Sequence, residues 1–153
     1  IFAVRDRSMP SNDPTRDDFP FWTRDKLRYG DTDRQGHVNN AVYATFFETG
    51  RVEVLHAGEA PPPAGTAFVL AQITIDFRRE MNWPGEVEIG TAVEGLGNSS
   101  IRLRQAVFQN GVLCASAAAV IVLMDETTRR STPLPDDMRG RLAAHVRSSP
   151  AEA

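Results

Sequence analysis

The chain has 153 residues, a mass of 16.9 kDa, a formal charge of −3 and a pI near 5.6. That length fits one domain with a core of its own, and the mild acidity excludes the basic footprint of a nucleic-acid binder. The lone cysteine, Cys114, excludes an internal disulfide and any zinc site built on two or more thiolates. No run of about 18 apolar residues is present to span a membrane.

Residues 1–19 are rich in Asp, Arg, Ser, Asn and Pro without a sustained period, which predicts a loosely held arm. One domain is expected over residues 20–147, with a tail at 148–153. Phe21 to Tyr29 is the first strand candidate. A helix is predicted from about Asn40 to His56, stopped by Gly58 and the prolines Pro61, Pro62 and Pro63. Asn39 or Asn40 supplies its cap. Tyr43, Phe47, Gly50 and Val54 form one stripe with Val42 and Phe46 beside it, a broad apolar surface that something must wrap.

Strand signals then follow one another. Ala71, Ile73, Ile75 and Phe77 alternate with polar residues, as do Val87, Ile89 and Val93, and then Ile101, Leu103 and Val107. Asn110-Gly111 marks a hairpin, because both residues tolerate the positive φ of a type I′ turn. Val112 to Met124 is apolar on both faces, as an interior strand should be, and its alanines leave room for a helix. A short helix is expected within Pro133 to Val146. One long helix on a mostly antiparallel sheet is an α+β, two-layer domain.

The segment richest in chemistry is Arg28-Tyr29-Gly30-Asp31-Thr32-Asp33-Arg34-Gln35-Gly36-His37-Val38-Asn39-Asn40. It places two carboxylates, a glycine and a histidine just before a helix N-terminus, whose free N–H groups and partial positive charge can polarise a carbonyl. A nearby carboxylate can activate water or attack directly. Each residue also has a plainer reading. Asp33 suits a turn, Asp31 suits holding the loop, and His37 suits capping backbone groups as well as proton transfer. Tyr43 and Phe47 suit a core. Glu48 suits an ion pair with Arg51, three residues on, and also the duty of a helix-borne acid. Arg102, Arg104, Arg129 and Arg130 suit a solvated face as well as contact with phosphates. Cys114 is a small core residue.

The string Asp-x-Asp-x-x-Gly-His-Val-Asn-Asn-x-x-Tyr, followed by Phe-Glu-x-Gly-Arg, resembles the signature of the 4-hydroxybenzoyl-CoA thioesterase-like branch of hotdog-fold proteins. The likeness runs from about Phe21 to Pro135. It takes in the Asn98-Ser99-Ser100 turn, the Asn110-Gly111 hairpin and the Thr128-Arg129-Arg130 ending. It implies a hotdog fold, a central helix wrapped by an antiparallel sheet, working as a homodimer or a homotetramer. It further implies that Asp33 is the catalytic carboxylate, that Gly36 is the loop glycine and that the backbone N–H near Asn40 polarises the thioester carbonyl. His37 joins this catalytic group. Asn39, Tyr43, Ser99, Ser100, Arg129 and Arg130 are the expected substrate contacts. His37 and Asn39-Asn40 stand where some relatives carry apolar or aromatic residues, which favours a general acyl-CoA over the aromatic 4-hydroxybenzoyl group.

The activity so implied is hydrolysis of an acyl-CoA or acyl-carrier-protein thioester in the cytoplasm. No metal and no cofactor beyond the coenzyme A of the substrate is expected. Two other readings compete: a non-catalytic acyl-CoA-binding module, which would be indifferent to Asp33, and a hotdog hydratase or dehydratase, which would need a His–acid pair facing the acyl chain.

Overall fold

A computed structural model describes residues 13–56 and 62–146. Most of the expected arm, residues 1–12, and the whole expected tail lie outside the described residues. The part of the arm that is described lies against the domain: Asp13 accepts from Arg78 Nε at 2.8 Å, and Arg16 pairs with Glu88 at 3.0 Å. The Arg16 guanidinium also sits 4.2 Å from the Trp22 ring centre. Phe19 lies on the bare backbone of Gly90, where a Cβ would come within 2.6 Å of its ring.

Five strands form one sheet: β1 (Phe21–Lys26), β2 (Thr66–Phe77), β3 (Glu86–Leu96), β4 (Ser100–Gln109) and β5 (Val112–Asp125). Their spatial order is β1-β3-β4-β5-β2, and every neighbouring pair is antiparallel. The β4–β5 hairpin turns through Asn110 at φ 51° and Gly111 at φ 76°, the positive values that the dipeptide predicted. β5 is bonded on both sides, to β4 and β2, as an interior strand; Ala119, Ile121 and Leu123 bury one face of its second half, whereas Val120, Val122 and Met124 on the other face stay partly exposed.

Helix α1 (Asn40–Leu55) crosses one face of the sheet and buries Tyr43, Phe46, Phe47, Gly50, Val54 and Leu55. This is the wrapped helix of the hotdog arrangement. The core divides around it. Phe46 and Phe47 pack with Leu27, Met81 and Ile89 near the start of α1, whereas Val54 and Leu55 pack with Ile101, Leu103 and Leu142 near its end. The closest approach of helix and sheet falls at Gly50, over Ile89, Thr91 and Gln105. The alanines of β5 are not the point of closest approach; Ala115, Ala117 and Ala119 line the core beside it. Helix α2 (Asp136–Ala143) closes the far end through Met138 and Leu142.

Three boundaries differ from the sequence reading. β1 stops at Lys26, three residues before Tyr29, because the Arg28 N–H turns onto the Asp31 carboxylate and starts a single 3₁₀ turn at Tyr29–Asp31. β2 begins at Thr66, ahead of the alternating run, and takes a bulge between Leu70 and Gln72 that interrupts the period of two. α2 is shorter than the Pro133–Val146 window, starting only after Pro135. β2 is an edge strand, and Val69, Leu70 and Phe77 on it stay exposed. Among the described residues no helix is long and apolar enough to cross a membrane.

Candidate active site

The Asp31–Asn40 loop is fixed by backbone hydrogen bonds and by the side chains of Asp31, Thr32, Asp33 and Asn39. Asp33 N–H donates to His37 O at 2.8 Å and Gly36 N–H donates to Asp33 O at 3.0 Å, closing a tight turn. Gly36 has φ 81° with nothing near the place a Cβ would occupy, so backbone conformation, not crowding, is what requires glycine there. Val38 N–H donates to Met81 O at 2.9 Å, Leu27 N–H to Gly85 O at 2.9 Å, and Asn39 N–H to Asp31 O at 2.8 Å. Both flanks of the turn are therefore pinned, one to the β2–β3 connection and one to the entry of α1.

Within this frame the two carboxylates have different surroundings. Asp31 is 6 % exposed; its Oδ2 accepts from Arg28 N–H at 2.8 Å and its Oδ1 lies 3.5 Å from Arg28 Nε. Asp33 is half-buried and accepts one recorded hydrogen bond, from Gln35 N–H at 2.8 Å. Asn39 is the cap of α1, its Oδ1 taking Ala41 N–H at 3.0 Å while its own carbonyl takes Val42 N–H at 2.9 Å. Among the described residues no protein acceptor is recorded for the Asn40 N–H, which leaves one donor free at the positive end of the helix.

The other expected residues separate into three places. His37 directs Nε2 toward Glu80 Oε1 at 3.8 Å, and its backbone bridges to Asn82; it meets Asp33 only through its carbonyl. Tyr43 is fully buried, donates to Arg79 O at 3.2 Å and stands edge-on to Phe77 at 5.1 Å. Burial, reinforced by the nearby Cys114 thiol, pushes its phenol well above the usual tyrosine range. Ser99, Ser100, Arg129 and Arg130 lie at the opposite end of the sheet. Ser99 O takes Leu123 N–H at 2.9 Å, and Arg129, at φ 60°, follows the turn that Asp125 caps. The ten residues of β4 separate that end from the Asp33 end by about 30 Å at strand rise.

Sequence reasoning gave no part to Glu80 and Asn82. They lie in an irregular connection whose only clue is its proximity to the loop, a tertiary fact. Arg51, read from sequence as the partner of Glu48, is 7 % exposed and meets that carboxylate only at 3.5 Å.

One long helix wrapped by a five-stranded antiparallel sheet defines a protein of the hotdog fold. The model of the thioesterase-like superfamily matches residues 27–142, and the chain belongs to that family. The acyl-CoA thioester hydrolase YbgC of Escherichia coli is 26 % identical over 115 residues, covering 72 % of this chain and 86 % of that one. Among solved structures, a predicted thioesterase from Bacillus stearothermophilus superposes with a TM-score of 0.77 at 32 % identity, covering 86 % of this chain and 98 % of that one. A thioesterase from Thermus thermophilus complexed with coenzyme A and Zn gives 0.71 at 32 % identity, covering 81 % and 98 %. The protein is thus a thioester-hydrolysing enzyme of the hotdog class.

Proposed function

We propose that this enzyme hydrolyses acyl-CoA or acyl-carrier-protein thioesters, with Asp33 as the working carboxylate and the Asn40 N–H as the group that polarises the carbonyl. The observation that carries this reading is the half-buried Asp33 carboxylate, held by a single recorded N–H, in the turn that leads into a helix N-terminus with a free donor. Asp33 takes a proton from water, and the oxygen attacks the thioester carbon. The Asn40 N–H holds the oxyanion while the C–S bond breaks, and Asp33 returns the proton to the departing thiolate. Direct attack by Asp33, forming a mixed anhydride that water then opens, uses the same geometry. Gly36 shapes the turn, His37 braces it from the Glu80 side, and Tyr43 supports the helix from within the core.

The working unit in this reading is a homodimer. β2 is an apolar edge strand, and such an edge ordinarily needs cover. Two β2 edges paired about a two-fold axis run antiparallel. That sets the Thr66 end of one, next to Asp125, Arg129 and Arg130, near the Phe77 end of the other, next to Arg78 and Arg79. Residues about 30 Å apart in one chain would then approach one substrate, with Arg129 and Arg130 placed for phosphates and the Ser99-Ser100 turn beside them. Tyr43 and Asn39 would contact substrate only through what they position.

Asp33→Asn tests the assignment by keeping shape and removing the carboxylate. Thiol release from acyl-CoA should fall by about 10²–10⁴, with the circular dichroism spectrum unchanged. Full activity in a folded Asp33→Asn protein would remove Asp33 from the chemistry. Substrate binding without turnover in the wild type would favour the acyl-CoA-binding module.

A further inference from the structure

The connection between β2 and β3, residues 78–85, runs alongside the Asp33 turn. Its start is fixed by the N–H groups of Arg78 and Arg79, which donate to Cys114 O at 2.8 and 3.0 Å. Its later part meets the loop: Val38 N–H donates to Met81 O at 2.9 Å, Leu27 N–H donates to Gly85 O at 2.9 Å, and Asn82 is the bridge partner of His37. Asn82 gives its own N–H and carbonyl to the end of β4, where one side chain takes both. Gln109 Oε1 accepts from Asn82 N–H at 3.0 Å, and Gln109 Nε2 donates to Asn82 O at 2.8 Å. The amide thus does for Asn82 what the backbone of a neighbouring strand would do. Gln109 is 8 % exposed, and Gly85 leaves it room, since a Cβ there would stand 3.0 Å from Nε2. Burying an amide costs free energy unless its groups are bonded, and Asn82 meets both its oxygen and its nitrogen.

We propose that Gln109 is a positioning residue for the hydrolysis: by clamping Asn82 it sets where the Asp33 turn stands relative to the Asn40 N–H. The inference rests on the thioesterase reading above and adds a residue to it. Few links separate Gln109 from the carboxylate. Gln109 holds Asn82, Asn82 faces His37 across the bridge, and His37 O takes the Asp33 N–H at 2.8 Å. The His37 side chain depends on the same connection, since its Nε2 lies 3.8 Å from Glu80 Oε1. The helix start is anchored separately, through Asn39 N–H on Asp31 O at 2.8 Å. Loss of the clamp therefore shifts the Asp33 turn against a donor that stays in place. A misplacement of about 1 Å is enough to cost about a hundredfold in rate. Leucine at this position fills similar space but offers neither donor nor acceptor. A carboxylic acid offers both while it is protonated, and only acceptors once it ionises.

The test follows thiol release from decanoyl-CoA, and amide hydrogen exchange by NMR, in wild type, Gln109→Leu and Gln109→Glu. Gln109→Leu should lose about tenfold to a hundredfold in kcat with KM within about twofold, because substrate contacts stay and only the reacting geometry changes. Its amides at Asn82, Val38 and Asp33 should exchange at least about tenfold faster, while Ala117 and Ala119 in the β5 ladder keep wild-type rates. Gln109→Glu turns the same clamp into a titration. Burial beside a carbonyl keeps the introduced carboxyl protonated at about pH 5, so its kcat should approach that of wild type there. At about pH 8 the ionised group repels Asn82 O, and kcat should fall to the Gln109→Leu level. Wild-type kcat in a folded Gln109→Leu protein would overturn the proposal, as would unchanged exchange at Val38 and Asp33. So would a Gln109→Glu to wild-type ratio in kcat that does not move with pH. If Gln109→Leu fails to fold, Gln109→Glu at the two pH values decides alone. If wild type cleaves no thioester the thioesterase reading fails, and exchange at Val38 and Asp33 still decides whether Gln109 holds the turn.

Discussion

Gly50→Ala should destabilise the protein even though alanine is the better helix former. The gain from replacing a mid-helix glycine is about 1 kcal/mol. Against it, a Cβ at residue 50 would stand 2.6 Å from Ile89 Cγ2, 3.0 Å from Gln105 Nε2 and 3.1 Å from Thr91 Oγ1. Ile89 is fully buried, so its methyl has nowhere to retreat without moving the sheet. Gln105 Nε2 already donates to Phe47 O at 2.9 Å and Thr91 Oγ1 at 3.0 Å, while its Oε1 lacks a partner. Displacing it loosens a buried polar network with no slack. Overpacking of this kind costs about 3 kcal/mol at the upper end of the usual range, which leaves a net loss of about 2 kcal/mol. At this size that corresponds to a fall in Tm of roughly 4–8 °C. Gly140→Ala in α2 is the matched control, since no atom lies within 4 Å of its added Cβ. It should gain about 0.5–1 kcal/mol. Thermal and urea unfolding at one fixed protein concentration measure both, the fixed concentration removing any effect of dimer dissociation. A Gly50→Ala protein as stable as wild type would show that the helix does not press on the sheet at Thr91 and Gln105.

Asp31→Asn should cost about 1–2 kcal/mol in urea unfolding, because it weakens a buried charge-assisted bond to Arg28, yet reduce turnover less than Asp33→Asn. Stability should fall as pH rises past about 10: unfolded chains ionise Tyr43 near that value, whereas burial holds the native phenol above it, so the unfolded state sheds its proton first. Tyr43→Phe should flatten that alkaline slope, and urea midpoints at pH 8 and pH 10.5 measure it. The Cys114 thiol, also pushed up by burial and 2 % exposed, should react with a disulfide reagent at least a hundredfold faster in urea than in the native protein, and rapid native labelling would contradict its burial.

The parts of this fold that could be read from sequence are those that local chemistry dictates. The Asn110-Gly111 turn and the period of two in β3 and β4 are legible because each residue's own φ preference or side-chain alternation carries the information. The sequence does not separate Asn39 from Asn40 as the cap, since both side chains can do it, and only the direction of the backbone decides. Thr66 to Leu70 carries no strand signal of its own because its side chains do not alternate; pairing with β5 imposes the structure from outside. The site divides in the same way. Asp33, Gly36 and Asn40 form one local string. By contrast, the facing of His37 toward Glu80 and the burial of Arg51 come from elements distant in sequence.

Asp31 and Asp33 show why a motif names residue types more securely than duties. Two residues apart, they carry the same carboxylate at the same bend, yet the chain treats them oppositely. Asp31 sits inside a 3₁₀ turn, its side chain folded back onto Arg28 and its carbonyl committed to Asn39 N–H. A group so engaged is costly to move, which suits a strut. Asp33 begins the next turn, and only its Oδ1 has a recorded protein partner, Gln35 N–H. In the proposed reaction Oδ2 is the oxygen that meets water or an acyl carbon. The strut also sets the helix start: Asp31 O orders Asn39, Asn39 caps α1, and the capped helix begins with the Asn40 N–H. In the proposed reaction, charge developing at a thioester carbonyl would meet a donor whose position was set during folding, not during the reaction, and preorganisation of that kind lowers a barrier without reorganisation at the moment of attack.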